Sequence, residues 1–343
     1  MFSQSIKKLV CAGLLFSVCG CVSAEWAPVQ QKAEPMVWPN APNPTKARFV
    51  GEIKGFKKTR KTIIDIISGR QNSVNIGKPV AVQVGSDDRI AIADIEKKGV
   101  HLYTPADKKY RFLYRSKNEE FQSPVGLCFD NRLNLYVSDS ILKKVLVFDK
   151  DGLFVKEITK AGDKPFSRPT GITYDRKYNH LLITDTTLHM VHLFDLEKGY
   201  QKSIGQRGAS SRRFNFPTHI DTDSSGRLFV TDAMNFKIKL FDAAGNFISQ
   251  FGNHGDGSGD FAMPKGIRVD RWGTIYVVDS LFDSIQLFNE AGQFLLTMGA
   301  KGQGPGEFWL PGGLDIDHNN KLYACDTYNR RIQIFQLYDN KLL

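Results

Sequence analysis

Three features of this 343-residue sequence predict an all-β fold: six phased repeats, strand-like stretches that close on aspartate, and glycine turns between them. The composition agrees, because the chain contains 24 Phe and 30 Gly, and aromatic strands separated by glycine turns are typical of small repeated sheets. The length exceeds what one packed core usually reaches, which also favours a modular architecture. No long helical pattern competes with this interpretation.

Each repeat begins with a strand led by proline, and its second strand closes on aspartate. The prolines are Pro79, Pro124, Pro169, Pro217, Pro264 and Pro311, and the aspartates are Asp94, Asp139, Asp185, Asp232, Asp279 and Asp326. A third strand with alternating apolar residues follows, and a glycine turn opens a fourth. Four short strands recurring at about 40–50 residues have the period of a propeller blade. The sequence therefore predicts a six-bladed β-propeller of four-stranded blades.

The repeated motifs resemble the NHL repeat. They read Pro-x-Gly-Ile/Leu-x-x-Asp, then Leu-Tyr/Phe-Val-x-Asp, then Asn-x-Arg-Ile-Gln-Ile-Phe from Asn329 to Phe335. The resemblance covers roughly residues 47–343 and implies an NHL-type propeller over that range. It says little about activity, since this fold hosts binding modules and several enzymes.

The last unit lacks a fourth strand after Asn340, whereas residues 47–53 have the fourth-strand pattern with no unit before them. We therefore expect this N-terminal strand to complete the last blade. Such pairing would remove an exposed sheet edge and tie the two ends of the domain together.

The N-terminus predicts export. Lys7 and Lys8 precede a short apolar run that is typical of a secretory signal peptide, here residues 1–20. The run ends in Val18-Cys19-Gly20-Cys21, which resembles the lipobox of bacterial lipoproteins and implies lipidation of Cys21. The alternative is an ordinary signal peptide cleaved after Ala24.

The resemblance to bacterial lipoproteins extends to Val22, which implies sorting to the outer membrane, facing the periplasm, in a Gram-negative cell; exposure at the cell surface is the other possibility. Residues 21–46 contain five prolines without apolar periodicity, which indicates a semi-rigid tether that holds the body away from the membrane. Beyond the signal peptide and Cys21, only Cys128 and Cys325 remain, and we expect both to be free buried thiols.

The formal net charge of +10 favours acidic partners. Anionic polysaccharide, anionic lipid, acidic protein and nucleic acid all meet that condition, but an exported protein would rarely meet nucleic acid. We expect an envelope protein or an anionic polysaccharide as partner, a membrane contact through the N-terminal lipid, no nucleic acid, and a monomer.

Alternation along the first strands predicts a ring of side chains that faces the central channel. One residue comes from each blade: Gln83, Cys128, Thr173, Asp221, Arg268 and Asp315. Arg268 is flanked by Asp221 and Asp315, so its guanidinium could bridge two carboxylates. The pattern indicates charge compensation in the channel, with ligand binding as the alternative.

His219 is expected at the mouth end of the first strand of the fourth unit, where four other units carry glycine. Peptidyl-α-hydroxyglycine lyases resemble this region and hold zinc with several channel histidines, whereas here only one is present. Lactonase-type propellers hold calcium, but Asp221 and Asp315 supply too few oxygens for that ion. No cofactor is expected, with zinc or calcium as the alternative, and the six strand-ending aspartates are interpreted as structural.

No complete nucleophile, metal or acid–base set is present in the sequence. The chain is therefore interpreted as a non-catalytic envelope lipoprotein whose propeller binds a protein or an anionic glycan. The alternative is a metal-dependent lyase or lactonase-type enzyme with its site in the central channel.

Overall fold

The computed structural model describes residues 24–31, 36–60 and 72–339. The signal peptide and Cys21 lie outside these residues. Within the described ranges the chain is almost entirely β-sheet, with one 3₁₀ turn at Ala233–Asn235. None of the helical segments in those ranges has the length and apolar character that a membrane crossing requires.

Four strands precede the repeats. They are β1 (Glu25–Gln31), β2 (Val37–Trp38), β3 (Ala47–Arg60) and β4 (Ser73–Asn75).

The next strands form blades 1 to 3. Blade 1 consists of β5 (Pro79–Val84), β6 (Ile90–Asp94), β7 (Gly99–Thr104) and β8 (Lys109–Leu113), and blade 2 of β9 (Pro124–Phe129), β10 (Leu135–Asp139), β11 (Lys144–Phe148) and β12 (Phe154–Ile158). A small hairpin follows, β13 (Lys160–Ala161) and β14 (Lys164–Pro165), and then blade 3, with β15 (Pro169–Asp175), β16 (His180–Asp185), β17 (Met190–Asp195) and β18 (Gly199–Ile204).

The remaining strands form blades 4 to 6. Blade 4 consists of β19 (Pro217–Thr222), β20 (Leu228–Asp232), β21 (Lys237–Phe241) and β22 (Phe247–Phe251), and blade 5 of β23 (Pro264–Val269), β24 (Ile275–Asp279), β25 (Ser284–Phe288) and β26 (Phe294–Met298). Blade 6 contains β27 (Leu314–Ile316), β28 (Lys321–Asp326) and β29 (Arg331–Leu337), together with β3.

Blades 1 to 5 are four-stranded antiparallel sheets, and the sixth is the core of a larger sheet in which β3, β29, β28 and β27 are neighbours. The first strands contact one another in the order β5, β9, β15, β19, β23 and β27, and β27 returns to β5. At that last contact the backbone N–H of Gly313 donates to the carbonyl of Val80 at 2.8 Å. The predicted six-bladed, all-β propeller is therefore confirmed.

The predicted closure by an N-terminal strand is also confirmed. Ala47 to Ile53 pair with β29, the last strand of the repeats. Phe49 is 2% exposed and its ring lies 5.6 Å from that of Phe335, in the apolar cluster between blades 5 and 6. Each further interface between blades contains an apolar cluster of the same kind. The blades are stabilised by burial against their neighbours.

The prediction that residues 21–46 form a tether is wrong for two parts of this segment. Glu25–Gln31 and Val37–Trp38 are strands of the folded body. Strand β1 pairs with the second half of β3, and β2 pairs with its beginning. Pro28 is tolerated because β1 is an edge strand, where a missing N–H costs no ladder bond, and the register shifts just after it. Trp26 stacks on Tyr110 of blade 1 at 4.9 Å, so this segment also covers the seam between blades 6 and 1.

Cys128 and Cys325 are free and buried, as predicted. Burial raises the pKa of both thiols well above the ordinary value. They remain protonated at neutral pH and behave as small apolar side chains.

Substitution of Phe49 by alanine tests the closure. We expect Phe49→Ala to lower the free energy of unfolding by about 3–5 kcal/mol, because it leaves a cavity in the interface that closes the ring. The matched control is Val50→Ala, since Val50 is the next residue of the same strand and is 37% exposed. Urea denaturation of both variants measures the difference. Equal stability of the two variants would contradict the closing role of β3.

Candidate binding site at the channel mouth

The central channel opens at one face of the ring into a cavity of about 570 Å³. This volume lies within the range of small-molecule sites, roughly 300–1,000 Å³. The structure brings together on its wall all six residues of the predicted ring: Gln83, Cys128, Thr173, Asp221, Arg268 and Asp315. Each projects from the first strand of its own blade, because alternate residues of that strand point toward the axis.

Arg268 is the centre of a hydrogen-bond network across four blades. Its Nε donates to Asp315 Oδ1 at 2.8 Å, and its Nη1 donates to Asp221 Oδ1 at 3.3 Å. Its Nη2 donates to Gln83 Oε1 at 2.9 Å, and Gln83 Nε2 in turn donates to Asp315 Oδ2 at 2.8 Å. The guanidinium therefore bridges the two carboxylates.

The backbone fixes both carboxylates from the neighbouring strands. The N–H of Val84 donates to Asp315 at 2.6 Å, and the N–H of Val269 donates to Asp221 at 2.9 Å. Thr173 Oγ1 lies 3.4 Å from Asp221 Oδ1. Burial raises the pKa of Asp221 and Asp315, an effect that the positive charge of Arg268 opposes, and the two carboxylates raise the pKa of Arg268.

His219 lies deeper in the channel, beside a second cavity of about 30 Å³. Burial and the nearby charges of Lys265 and Arg268 lower the pKa of His219 to about 3, so its imidazole is neutral at physiological pH. Its Nδ1 is buried and has no hydrogen-bond partner among the described residues.

The glycines equivalent to His219 allow the first strands to approach closely. A Cβ at Gly126 would lie 2.2 Å from the carbonyl oxygen of Thr170, and one at Gly171 would lie 2.5 Å from that of Thr218. These positions therefore require glycine. At this level the channel is narrow, and the imidazole of His219 occupies part of it.

The side chains present do not suit the metals of the resembling enzymes. The position between Asp221 and Asp315, where a calcium ion would need both carboxylates, is taken by the guanidinium of Arg268. His219 is the one histidine on the wall of the inner cavity, among the described residues. Across residues 24–31, 36–60 and 72–339, no cluster of three or more His, Cys, Asp or Glu side chains is arranged to hold a metal ion.

The rim of the mouth carries basic residues that the sequence analysis missed. Arg176 and Lys177 of blade 3 and Arg271 of blade 5 are exposed and line the cavity. Arg176 and Lys177 are adjacent, but Arg271 lies two blades further along the chain, so the three residues form no charge run. Their position in the repeat could have identified them. Each lies one or two residues after the aspartate at the end of a first strand, Asp175 in blade 3 or Asp270 in blade 5.

Those turn aspartates also line the mouth, but the protein itself uses their oxygens. Asp175 accepts the N–H of Lys177, and Asp270 accepts the N–H groups of Trp272 and Thr274. Asp223 and Asp317 accept backbone N–H groups in the same way. Such bonds fix the turns and leave the basic side chains as the charged groups that extend into solvent.

The aspartates that end the second strands are structural. Asp94 accepts the N–H groups of Gly77 and Lys78, from the loop that enters blade 1, and of Glu96 and Lys97, from the following turn. These bonds and the His101 side chain outweigh burial and lower the pKa of Asp94 to about 2. A polar residue seven positions later often adds a contact, such as His101 or Lys239. This seven-residue spacing is present in the sequence and could have predicted these contacts.

The sequence matches the family DUF5128, described as a 6-bladed beta-propeller, over residues 84–206, 217–285 and 272–343. The chain belongs to this family. A comparison with curated proteins found no match.

Solved structures of similar fold include enzymes and a binding protein. Virginiamycin B lyase from Staphylococcus aureus aligns with a TM-score of 0.57 at 15% identity, over 77% of this chain and 98% of that one. A gluconolactonase from Xanthomonas campestris gives 0.59 at 14% identity, over 77% and 87%. An auxiliary nutrient binding protein from Bacteroides thetaiotaomicron gives 0.58 at 11% identity, over 77% and 70%. At these identities the likeness shows the fold alone.

Removal of the Arg268 charge tests the network. We expect Arg268→Met to lower the free energy of unfolding at pH 7 by about 3–5 kcal/mol, because two buried carboxylates lose their partner. Burial already raises the pKa of Asp221 and Asp315, and loss of the opposing charge of Arg268 would raise both further in the variant. The folded variant would therefore take up protons at a higher pH than the wild type, so the deficit should shrink as the pH falls toward 5. Urea denaturation at pH 7 and pH 5 measures both effects.

The control for the Arg268 variant is Arg271→Met, which removes an exposed guanidinium next to the same strand and should change stability by less than about 0.5 kcal/mol. Equal effects of the two substitutions, or a deficit for Arg268→Met that grows on acidification, would show that Arg268 does not neutralise the carboxylates.

Proposed function

We propose that this protein is a non-catalytic binding propeller of the cell envelope and that its channel mouth takes an anionic glycan. The observation that carries the proposal is the cavity of about 570 Å³ with Arg176, Lys177 and Arg271 exposed at its rim. The auxiliary nutrient binding protein is an example of binding on the same fold.

The chemistry of the wall suits a ligand rich in hydroxyl groups. Ser86, Ser224 and Asn320 line the cavity and offer neutral donors and acceptors. A few convergent polar groups of this kind fix the orientation of a bound ligand. A carboxylate of the glycan would meet Arg271 or Arg176, for which the guanidinium geometry allows two parallel bonds.

Binding without chemistry is preferred because the polar groups at the channel floor are mutually satisfied. Arg268, Asp221, Asp315 and Gln83 bond to one another, so none is presented as a base, an acid or a metal ligand. We also propose that the repeats are of the NHL type, because their motifs resemble the NHL repeat. The family match supports a six-bladed propeller and does not distinguish the type of repeat.

Titration with a uronic acid oligosaccharide tests the glycan proposal. We expect calorimetry to show binding of oligogalacturonate that weakens as salt is added, and at least tenfold weaker binding of a neutral oligosaccharide of equal length. Arg271→Ala combined with Arg176→Ala should weaken binding at least tenfold. The control is Arg212→Ala, an exposed arginine in the loop between blades 3 and 4.

Two results would contradict this proposal. One is equal binding of the charged and neutral oligosaccharides, or equal loss in the Arg212 control. The other is stoichiometric zinc or calcium in the purified protein by elemental analysis, which would favour the alternative, a metal-dependent lyase or lactonase-type enzyme.

We further propose that the protein is exported and anchored by a lipid on Cys21, at the outer membrane facing the periplasm if the source is Gram-negative. Since β1 begins at Glu25, only three residues would separate the acylated cysteine from the folded body. At about 3.5 Å per residue the anchor would hold β1 within roughly 14 Å of the membrane. The body would lie close to the bilayer, not at the end of a long tether.

Substitution of the cysteine tests the anchor. We expect Cys21→Ser to move the protein from the membrane fraction to the soluble fraction of lysed cells and to abolish labelling by an alkyne fatty acid. Cys19→Ser, two residues away, is the control and should leave both unchanged. Unchanged labelling of Cys21→Ser, or cleavage after Ala24 by mass spectrometry of the mature chain, would refute lipidation there.

A further inference from the structure

The end of the ring opposite the channel mouth has a regular construction. In every blade, the loop that enters the first strand is hydrogen-bonded to the turn between the second and third strands. The backbone pairs, at 2.9–3.2 Å, are Ile95 with Lys78, Ser140 with Ser123, Thr186 with Arg168, Met234 with Asn215, Ser280 with Met263, and Tyr328 with Trp309. These paired loops form a face fixed by the same bonds in all six blades.

Three consecutive blades present large apolar side chains from these loops. We call the set the apolar arc: Phe216 and Met234 in blade 4, Met263 and Leu281 in blade 5, and Trp309 and Tyr328 in blade 6. Their exposed fractions run from 36% to 55%. The rings of Trp309 and Tyr328 lie 5.5 Å apart. Because the three blades are consecutive, the apolar arc extends along half of the ring.

The fold does not require apolar residues there. Blades 1 and 3 make the same loop-to-turn hydrogen bond, from Ile95 to Lys78 and from Thr186 to Arg168. The residues of these loops and turns that correspond to the apolar arc are polar, namely Lys78 and Glu96 in blade 1 and Arg168 and Thr187 in blade 3. Blade 2 carries Ser123 and Ile141, and that isoleucine is 64% exposed. Clustered apolar side chains that the fold does not need, exposed to water, are typical of an interaction surface.

The other half of the same face is positively charged. We call this set the basic arc: Lys97 and Lys98 in blade 1, Lys143 in blade 2 and Arg168 in blade 3, all exposed. None of the four forms an ion pair with another residue of the described ranges. The basic arc thus lies on blades 1 to 3 and the apolar arc on blades 4 to 6. The exposed Ile141 and Glu96, which pairs with Arg330, lie beside the basic arc.

We propose that this face binds a second protein, one that presents apolar side chains beside a cluster of carboxylates. The apolar part would bury the apolar arc, and the acidic part would pair with the basic arc, which fixes the orientation of the partner. The N-terminal segment that would carry the anchor lies at the other end of blade 1. Strand β1 begins beside Lys108, in the turn between β7 and β8, opposite Lys97 and Lys98. An anchor there leaves this face accessible.

Synthetic peptides of defined chemistry test the proposal. A fluorescent amphipathic peptide with Leu and Phe on one side and Glu on the other should bind the full-length protein, as measured by anisotropy. Replacing its Glu by Lys, or its apolar residues by Ser, should weaken binding at least tenfold. Leu281→Ser and Lys97→Glu with Arg168→Glu should each weaken binding of the first peptide at least tenfold.

The matched control is Leu153→Ser. Leu153 is 57% exposed, against 53% for Leu281, but it lies in the turn between the third and fourth strands of blade 2, at the other end of that blade. Its substitution should leave peptide binding unchanged. The assay does not involve the channel mouth, so its outcome is independent of the glycan proposal.

Three results would overturn the proposal. The first is equal binding of the Glu and Lys peptides, or equal loss with Leu153→Ser. The second is a dimer in light scattering that Leu281→Ser dissociates, which would make a second copy the occupant. The third is binding to vesicles containing phosphatidylglycerol that Leu281→Ser abolishes, which would make a membrane the occupant.

Discussion

In the part of the chain that the structure describes, each blade buries its faces mainly against the two blades beside it, in six apolar clusters. A four-stranded sheet with one unpaired side would expose both an apolar face and a row of free backbone groups. The pairing of Ala47–Ile53 with β29 therefore supports the whole molecule, since it completes blade 6 and fixes the contact between β27 and β5. The channel geometry depends on this closure.

The lining of the channel follows from the six-fold repetition of the blades. Alternation of side chains along the first strands places one residue of each blade on the same level of the axis. At the mouth level four of those residues, Gln83, Asp221, Arg268 and Asp315, form one hydrogen-bond network around Arg268. At the next level glycines bring the strands together around His219. The sides of the molecule differ too, because the rim of the mouth is polar and the opposite face is divided between apolar and basic residues. The two faces therefore differ in the chemistry that they present to solvent.

The sequence predicted most of the fold because its signals are local and repeated. The prolines and aspartates marked the first and second strands in all six units, and the period fixed the number of blades. The ring from Gln83 to Asp315 followed from alternation alone. The pairing of β1 was missed because Pro28 and its neighbours suggest extended chain, and only the tertiary position of β3 makes an edge strand favourable there. Arg176 and Arg271 were missed because only the closed ring brings blades 3 and 5 to one rim.

The joining of β3 to β29 also sets the order in which the molecule can be made. Nearly the whole domain separates β3 from β29 in the sequence. Strand β3 is synthesised first and can pair only after β29, the last strand, has been made. Until then blade 6 lacks a strand and the chain resembles an open arc whose ends are free. A contact between the two extremes of the chain delays closure of the ring until synthesis is complete. The architecture thus couples the completion of translation to the acquisition of stability.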